Sequence, residues 1–287
     1  MSAAAAQQID TTARRLSAAI AAATVSGRMW LYSNYHCNLA CAYCLTESGP
    51  GVPARVMAAE RMRTLARDAR DLGFTSLGVT GGEPFLRPEL PELLGDFAEV
   101  LPLVVLTNGT LFSRRLLDRL APLAGQDVAL QISLDRPDPA SNDLLRAPDN
   151  FRKVVQAIPH LVERGLEVRI ATTLLEEDAA ELGRLCDLHR SLGVTDEHHI
   201  VRPVVRRGRA ETGDMGITTR HTDLDPEFTA TIDGAFWSPF GPTVAGGVLD
   251  IDLLITRITD PLHRAVDRFL DLAEQRPPGN DGVLNIR

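Results

Sequence analysis

Short apolar runs alternate along this chain with longer stretches whose apolar positions recur every third or fourth residue. The runs Met29–Ser33, Ser76–Thr80, Leu103–Leu106, Val128–Leu134, Glu167–Thr173 and His198–Val201 read as strands. Between them, Ala54–Leu72 places Val56, Leu65, Ala69 and Leu72 at helical spacing, with charges elsewhere. Pro91–Val100, Ser113–Leu123, Phe151–Arg164 and Glu177–Leu192 read as helices too, the last closed by Gly193 where a C′ glycine is expected. Continuous apolar strands separated by amphipathic helices imply a parallel sheet with a covered outer face. Six such units predict an α/β fold built on a partial (β/α)6 barrel rather than a full eight-fold one.

The ends break this rhythm. Residues 1–27 read as an N-terminal helical extension, with a short helix opened by Asp10 or Thr11 as N-cap. Arg14-Arg15 ahead of Leu16–Ala23 has the flavour of an export signal, but the stretch is short and dominated by alanine, which favours the helix. The barrel is expected over 28–210. A short C-terminal α+β extension follows over 211–287, with a strand or hairpin in Phe228–Phe236 turning at Asp233-Gly234 and a helix in Pro261–Glu274. The tail over 276–287 is expected to be poorly ordered.

Charge narrows the functional classes. Among 287 residues the formal net charge is −8, and the sequence pI is about 5.4, which argues against bulk binding to nucleic acid or to anionic lipid. No apolar run approaches the ~20 residues that span a bilayer, so no membrane partner is expected. Of the four cysteines, Cys37, Cys41 and Cys44 crowd together, which reads as metal ligation in a reducing compartment and hence a cytoplasmic protein.

Cys37-x3-Cys41-x2-Cys44 directly follows the first strand, at the end of a parallel sheet where ligand sites gather. Three thiolates can bind three irons of a [4Fe–4S] cube and leave the fourth iron open, as catalysis at a metal needs. The alternative is structural zinc, with His36, Cys186 or His189 as a fourth ligand, although no second closely spaced pair is present. Cys186, among Leu182, Leu185 and Leu188, reads as a buried free thiol.

One helix and one strand further on comes Thr80-Gly81-Gly82-Glu83-Pro84. Together with the cysteine spacing, this resembles the radical S-adenosylmethionine (SAM) superfamily. The resemblance implies that Cys37, Cys41 and Cys44 hold a [4Fe–4S] cluster and that Tyr43 lies against the adenine of SAM. It implies that the backbone at Gly81 and Gly82, with Glu83, accepts hydrogen bonds from the methionyl ammonium. Gln131-Ile132-Ser133-Leu134-Asp135 resembles the segment whose serine lies near the SAM ribose, and Arg146 resembles the arginine that pairs with the SAM carboxylate, a task suited to a planar fork. Thr107-Asn108-Gly109 resembles the triplet that often ends the third strand, with Asn108 a candidate SAM contact. A strand-end hydroxyl satisfying the backbone is the plainer reading of Ser133.

The family often carries a C-terminal extension whose cysteines bind auxiliary clusters. Residues 228–240 resemble the hairpin that opens it, yet Trp237, Ser238 and Pro239 stand where a cysteine is expected and none follows Cys186. The segment is expected to be a cluster-free cap on the barrel mouth. Arg202 opens a basic stretch with Arg206, Arg207, Arg209 and Arg220, which reads either as an anchor for an anionic substrate group or as a solvated loop. His198 and His199 face opposite sides if they share a strand, so one of them is a candidate for the barrel interior.

As the resemblance implies, a one-electron donor such as flavodoxin or ferredoxin reduces the cluster. SAM is then cleaved to a 5′-deoxyadenosyl radical that abstracts hydrogen from an enclosed substrate. The missing auxiliary cysteines and the short N-terminal extension lean toward a small-molecule substrate in a metabolic or natural-product tailoring step, with modification of a ribosomal peptide as the alternative. A non-catalytic iron–sulfur scaffold or redox sensor, or a zinc-stabilised binding protein, are readings from other classes.

Overall fold

Helix α1 (Ala3–Ala21) precedes six strands that run parallel and lie side by side in chain order: β1 (Arg28–Tyr32), β2 (Ser76–Thr80), β3 (Leu103–Thr107), β4 (Val128–Ser133), β5 (Glu167–Leu174) and β6 (His199–Pro203). The computed structural model describes residues 3–175, 179–220 and 223–275. Between the strands lie α2 (Ala59–Leu72), α3 (Leu90–Ala98), α4 (Arg114–Leu120), α5 (Pro139–Leu145), α6 (Asn150–Val162) and α7 (Ala179–Ser191). This is the partial (β/α)6 barrel that the alternating pattern predicts.

The two faces of the strands have different tasks. Leu31, Val79, Val105, Ile132 and Ile170 point toward the helices and join Leu65, Leu94 and Ile158 in the main core. On the opposite face Trp30, Val104 and Ala129 form a small inner cluster. Trp30 is fully buried, and a Cβ at Gly78 would sit 2.2 Å from its ring, so only glycine fits there. The indole donates to Glu227 at 2.6 Å, and the Arg28 guanidinium lies 5.4 Å from the ring centroid. The indole therefore plugs the lower end of the barrel, while a cavity occupies the end where the strands finish.

The C-terminal segment continues the same sheet. After α8 (Arg209–Thr212), strand β7 (Thr229–Thr231) runs parallel to β1, and β8 (Gly234–Phe236) returns antiparallel after a turn at Ile232-Asp233. A hairpin of β9 (Val244–Ala245) and β10 (Val248–Leu249) follows, then β11 (Leu254–Thr256) on the edge of β8, and finally α9 (Leu262–Glu274). Helix α9 buries Val266, Phe269 and Leu270, and Phe269 packs against Phe228 and Trp237. Trp237, where the family pattern has a cysteine, is thus a core residue.

Several boundaries differ from expectation. Asp10 and Thr11 lie inside α1 rather than at its start, because the preceding alanines, the best helix formers, carry the helix back to Ala3. Thr11 accordingly bonds back to the Gln7 carbonyl. Arg15 is paired with Asp271 and Glu274, each at 2.9 Å, and Leu16 is fully buried, so α1 is docked on α9. Helix α2 begins at Ala59 rather than Ala54, and α5 is capped by Asp138, whose side chain accepts from the Ser141 N–H. The expected start of α7 at Glu177 and the tail 276–287 lie outside the described residues. No described helix is long and apolar enough to cross a membrane.

Candidate functional site

All six barrel strands contribute to the cavity at their upper ends, with Tyr32, Thr80, Leu106, Ser133, Thr173 and Arg202 among the lining residues and Thr107 and Pro203 beside them. Alternation along the strands aligns them with the inner cluster, since Trp30 and Val104 lie two residues before Tyr32 and Leu106, and Ala129 four before Ser133. Tyr32 is paired in register with Thr80, and Thr173 with Arg202. The rest of the wall comes from the loops, including Cys37, Cys41, Tyr43 and Cys44, then Gly81 and Gly82, then Asn108 and Arg146. Every residue singled out by the motifs except Glu83 therefore reaches one cavity.

The three thiols are free and line the same wall. Burial pushes the Cys37 thiol up to about 12 and also raises Cys41, where the Arg146 charge opposes it. Anionic thiolates at these positions thus call for a bound cation to compensate the buried charge. Among the described residues, no three His, Cys, Asp or Glu side chains converge to hold one metal ion. A cube that takes each thiolate on a different iron needs them spread along a wall. None of the three zinc candidates lines this cavity: His36 Nδ1 lies 3.0 Å from the Val52 carbonyl, Cys186 lies 3.6 Å from His199, and His189 packs edge-on against His199.

The Gly-Gly turn is fixed against the cysteine loop itself. A Cβ at Gly81 would approach Asn34 to 2.5 Å, and one at Gly82 would lie 2.1 Å from the His36 carbonyl. The Gly82 N–H donates to the Asn34 carbonyl at 2.9 Å, the Glu83 N–H to His36 at 2.8 Å, and Asn34 Nδ2 to the Glu83 carbonyl at 3.1 Å. The close approach that these glycines permit is therefore to the protein's own backbone as well as to the cavity.

Glu83, expected with the neighbouring carbonyls to accept from the methionyl ammonium, does not line the cavity. Its carboxylate is fully buried and accepts from Thr107 Oγ1 and the Asn108 N–H, both at 2.8 Å, and from the Phe85 N–H at 3.0 Å. Burial lifts its pKa to about 6 against these three donors. It buttresses the loop by tying β2 to the end of β3. Asn108 is similarly committed, donating to Asn38 at 2.9 Å while its amide oxygen accepts from Thr110.

Arg146 forms a buried ion pair with Asp135 at 3.3 Å and donates to the Tyr43 hydroxyl at 3.0 Å; Tyr43 in turn donates to Asp135. Asp135 also accepts from the Thr173 N–H at 2.9 Å. Among the described residues the buried Arg146 Nε has no hydrogen-bond partner, so the fork retains donor capacity. Ser133 lines the cavity, and no hydrogen bond of its hydroxyl is found among the described residues. Three thiols, an orphaned guanidinium nitrogen and a free hydroxyl around one cavity fit a cluster together with a ligand bearing a carboxylate.

The basic stretch resolves residue by residue. Arg206 pairs with Asp214 and Arg207 with Asp252, whereas Arg202 lines the cavity rather than a solvated loop. Arg209 donates to the carbonyls of Cys41 (3.0 Å), Glu47 and Ser48 (both 2.6 Å), and its own N–H donates to Cys44 at 3.0 Å. Gly208 makes this approach possible, with φ +58° and space for a Cβ only 2.3 Å from the Leu45 carbonyl. The C-terminal segment closes the same loop from above: Pro239 and Phe240 line the cavity, Val244 donates to Leu45, and the Glu47 carboxylate accepts from Gly246 and Gly247. His199 faces α7, not the barrel interior, in contact with Thr172 at 2.8 Å and edge-on to His189, while His198 lies 3.9 Å from Glu167.

Comparison with known proteins agrees with this geometry. The chain is 32% identical over 161 residues to the "Antilisterial bacteriocin subtilosin biosynthesis protein AlbA" of Bacillus subtilis, covering 55% of this chain and 36% of that protein. It is 30% identical over 172 residues to the "Mycofactocin maturase MftC" of Mycobacterium tuberculosis, covering 59% and 43%. To the GTP 3′,8-cyclase of Chlorobaculum tepidum it is 31% identical over 205 residues, covering 68% and 60%. The chain thus spans roughly one-third to three-fifths of the length of these curated relatives. Among solved structures, the fold resembles anSMEcpe with bound AdoMet, at a TM-score of 0.61 and 15% identity over 87% of this chain and 80% of that one. It also resembles Streptococcus suis SuiB bound to S-adenosylmethionine, at 0.55 and 19% over 63% and 41%. The sequence profile of the Radical SAM superfamily matches residues 31–189, more than half of the chain. This chain belongs to the radical SAM superfamily, whose cofactors are a [4Fe–4S] cluster and SAM.

Proposed function

We propose that this chain is a radical SAM enzyme acting on a small molecule held in the cavity above the barrel. Cys37, Cys41 and Cys44 are assigned to the cluster. The backbone at Gly81 and Gly82 is assigned to the methionyl ammonium of SAM, and Arg146 with Ser133 to its carboxylate and ribose side. Tyr43 is assigned to the adenine. Glu83 and Asn108 act through the loops they brace. When bound, the cluster and SAM together supply the 5′-deoxyadenosyl radical that abstracts hydrogen from the substrate.

The observation carrying this reading is the meeting of both sequence motifs on one cavity, with the unpartnered Arg146 Nε beside the thiols. Burial at the barrel mouth supports it, because Pro239, Phe240 and the β9–β10 hairpin shield the wall and limit the access of water to a reactive intermediate. A flavodoxin- or ferredoxin-type donor is assigned to supply the electron. The small-molecule substrate is supported by that enclosure and by relatives named GTP 3′,8-cyclase and AdoMet-dependent heme synthase. Peptide modification is the second reading, favoured by AlbA's name and by the SuiB structure with its precursor peptide SuiA.

Electron paramagnetic resonance of the reconstituted, dithionite-reduced protein tests the site. Addition of SAM is expected to change the spectrum of a [4Fe–4S]+ centre in the wild type. An iron–sulfur signal indifferent to SAM would support the scaffold reading instead.

A further inference from the structure

Arg202 and Tyr32 are carried by the last and first strands of the six-strand arc, yet both line one cavity. Their positions follow from the curvature of the open sheet: each is the uppermost inward-facing residue of its strand. Thr173, the register partner of Arg202 on β5, lies between Arg202 and Ser133 along the same rim.

The other arginines around the site are each held by a protein acceptor, whereas Arg202 has none among the described residues. Arg146 is held by Asp135 and Tyr43, Arg209 by three carbonyls, Arg207 by Asp252, and Arg136 by Glu181. The Arg202 guanidinium has no hydrogen bond or ion pair among the described residues, and neither the Tyr32 hydroxyl nor that of Thr173 has a hydrogen bond there. Burial lowers the Arg202 pKa from its ordinary value, with Tyr43 and Asp135 opposing the shift. A guanidinium in this setting keeps its charge at neutral pH, and a nearby anion relieves the cost of burying it.

We propose that Arg202, Tyr32 and Thr173 form a subsite that binds an oxyanion of the substrate, a carboxylate or a phosphate. The inference rests on the reading of this cavity as the SAM site, and it leaves the carboxylate of SAM to Arg146. A planar fork offers two parallel N–H donors to such a group, and the two hydroxyls supply further donors from neighbouring directions. The substrate class is thus an organic anion, oriented by its charged end at the β6–β1 side of the mouth.

Chemical protection tests this without knowledge of the substrate. The reconstituted protein, its cluster oxidised so that SAM is not consumed, is treated with phenylglyoxal, and the adduct at Arg202 is quantified by peptide mass spectrometry. Orthophosphate and succinate serve as separate probes, added to SAM-saturated protein. The expected result is an Arg202 that still reacts with SAM bound and is shielded by one of the two anions, the effective probe naming the group. Tyr32→Phe is expected to weaken that shielding by about threefold to tenfold, the loss of one hydrogen bond. Shielding by SAM alone, or by neither anion, would overturn the subsite. The affinity for SAM, measured by equilibrium dialysis, separates the two levels: Arg202→Gln is expected to bind SAM as the wild type does. Loss of SAM binding confined to this variant would place Arg202 in the SAM site and overturn the proposal. Failure of the wild type to bind SAM would overturn the underlying reading of the cavity.

Discussion

The Arg209 guanidinium donates to the backbone carbonyl of Cys41 at 3.0 Å, joining residues 168 positions apart. With its bonds to Glu47 and Ser48, it holds the cysteine loop by main-chain atoms alone and leaves the thiols free. Arg209→Ala is expected to cost about 2–4 kcal/mol, since hydrogen bonds from a charged donor are worth about 1.5–3 kcal/mol each and this donor is half-buried. Thermal denaturation of the cluster-free protein measures that cost. Iron and sulfide analysis after reconstitution is expected to show a reduced cluster content.

Gly82→Ala tests how closely the two loops are fitted. Its Cβ would lie 2.1 Å from the His36 carbonyl, and neither backbone can yield without breaking the Gly82–Asn34 and Glu83–His36 hydrogen bonds. A loss of at least about 2 kcal/mol is expected in urea titrations, toward the upper part of the range for overpacked sites. Gly95→Ala, in helix α3 with open space around it, is the control and is expected to be neutral or slightly stabilising.

Asp135 neutralises Arg146 in a fully buried setting. Asp135→Asn leaves the guanidinium charged and unpaired, at an expected cost of about 3–5 kcal/mol. Tyr43→Phe removes one member of the same network and is expected to cost about 1 kcal/mol. Denaturant titration of the three proteins measures the ordering.

His189 gives the fold a pH dependence unconnected with the cavity. Both ring nitrogens are buried without hydrogen-bond partners among the described residues, and burial, with the charge of His199 second, lowers its pKa to about 3. The unfolded chain takes up a proton near pH 6.5 while the folded chain does not. Stability is therefore complete above pH 6.5 and is lost as pH falls toward 3, by up to about 1.4 kcal/mol per pH unit. His199, also lowered mainly by burial, acts in the same direction. His189→Leu is expected to flatten this slope and to leave stability at pH 8 unchanged or improved, because the orphaned polar atoms are removed.

Strand positions were legible because apolar runs such as Ser76–Thr80 carry the signal in consecutive residues, and the observed β2 has the same ends. The cysteine and glycine motifs were legible because each is a local spacing. Tyr32 and Thr173 were not singled out, and Arg209 was marked only as one of a basic run, since their significance depends on the curvature of the sheet and on contacts across long stretches of chain. For Arg209 the available signal was the glycine before it, a residue suited to tight backbone approach. Glu83 shows the opposite case: the motif marked the residue, but only the surrounding Thr107, Asn108 and Phe85 reveal that its carboxylate braces the loop. The start of α1 was misplaced because a good cap residue, Asp10, lies within a run whose alanine propensity outweighs it.

The central claim is tested most directly by the formation of 5′-deoxyadenosine. The protein is reconstituted anaerobically with iron and sulfide, reduced and given SAM, and the product is quantified by mass spectrometry beside a Cys37→Ala, Cys41→Ala, Cys44→Ala variant. The account predicts 5′-deoxyadenosine from the wild type and none above background from the variant. Equal amounts from both, or a wild type that binds zinc in place of iron and yields none, would contradict it.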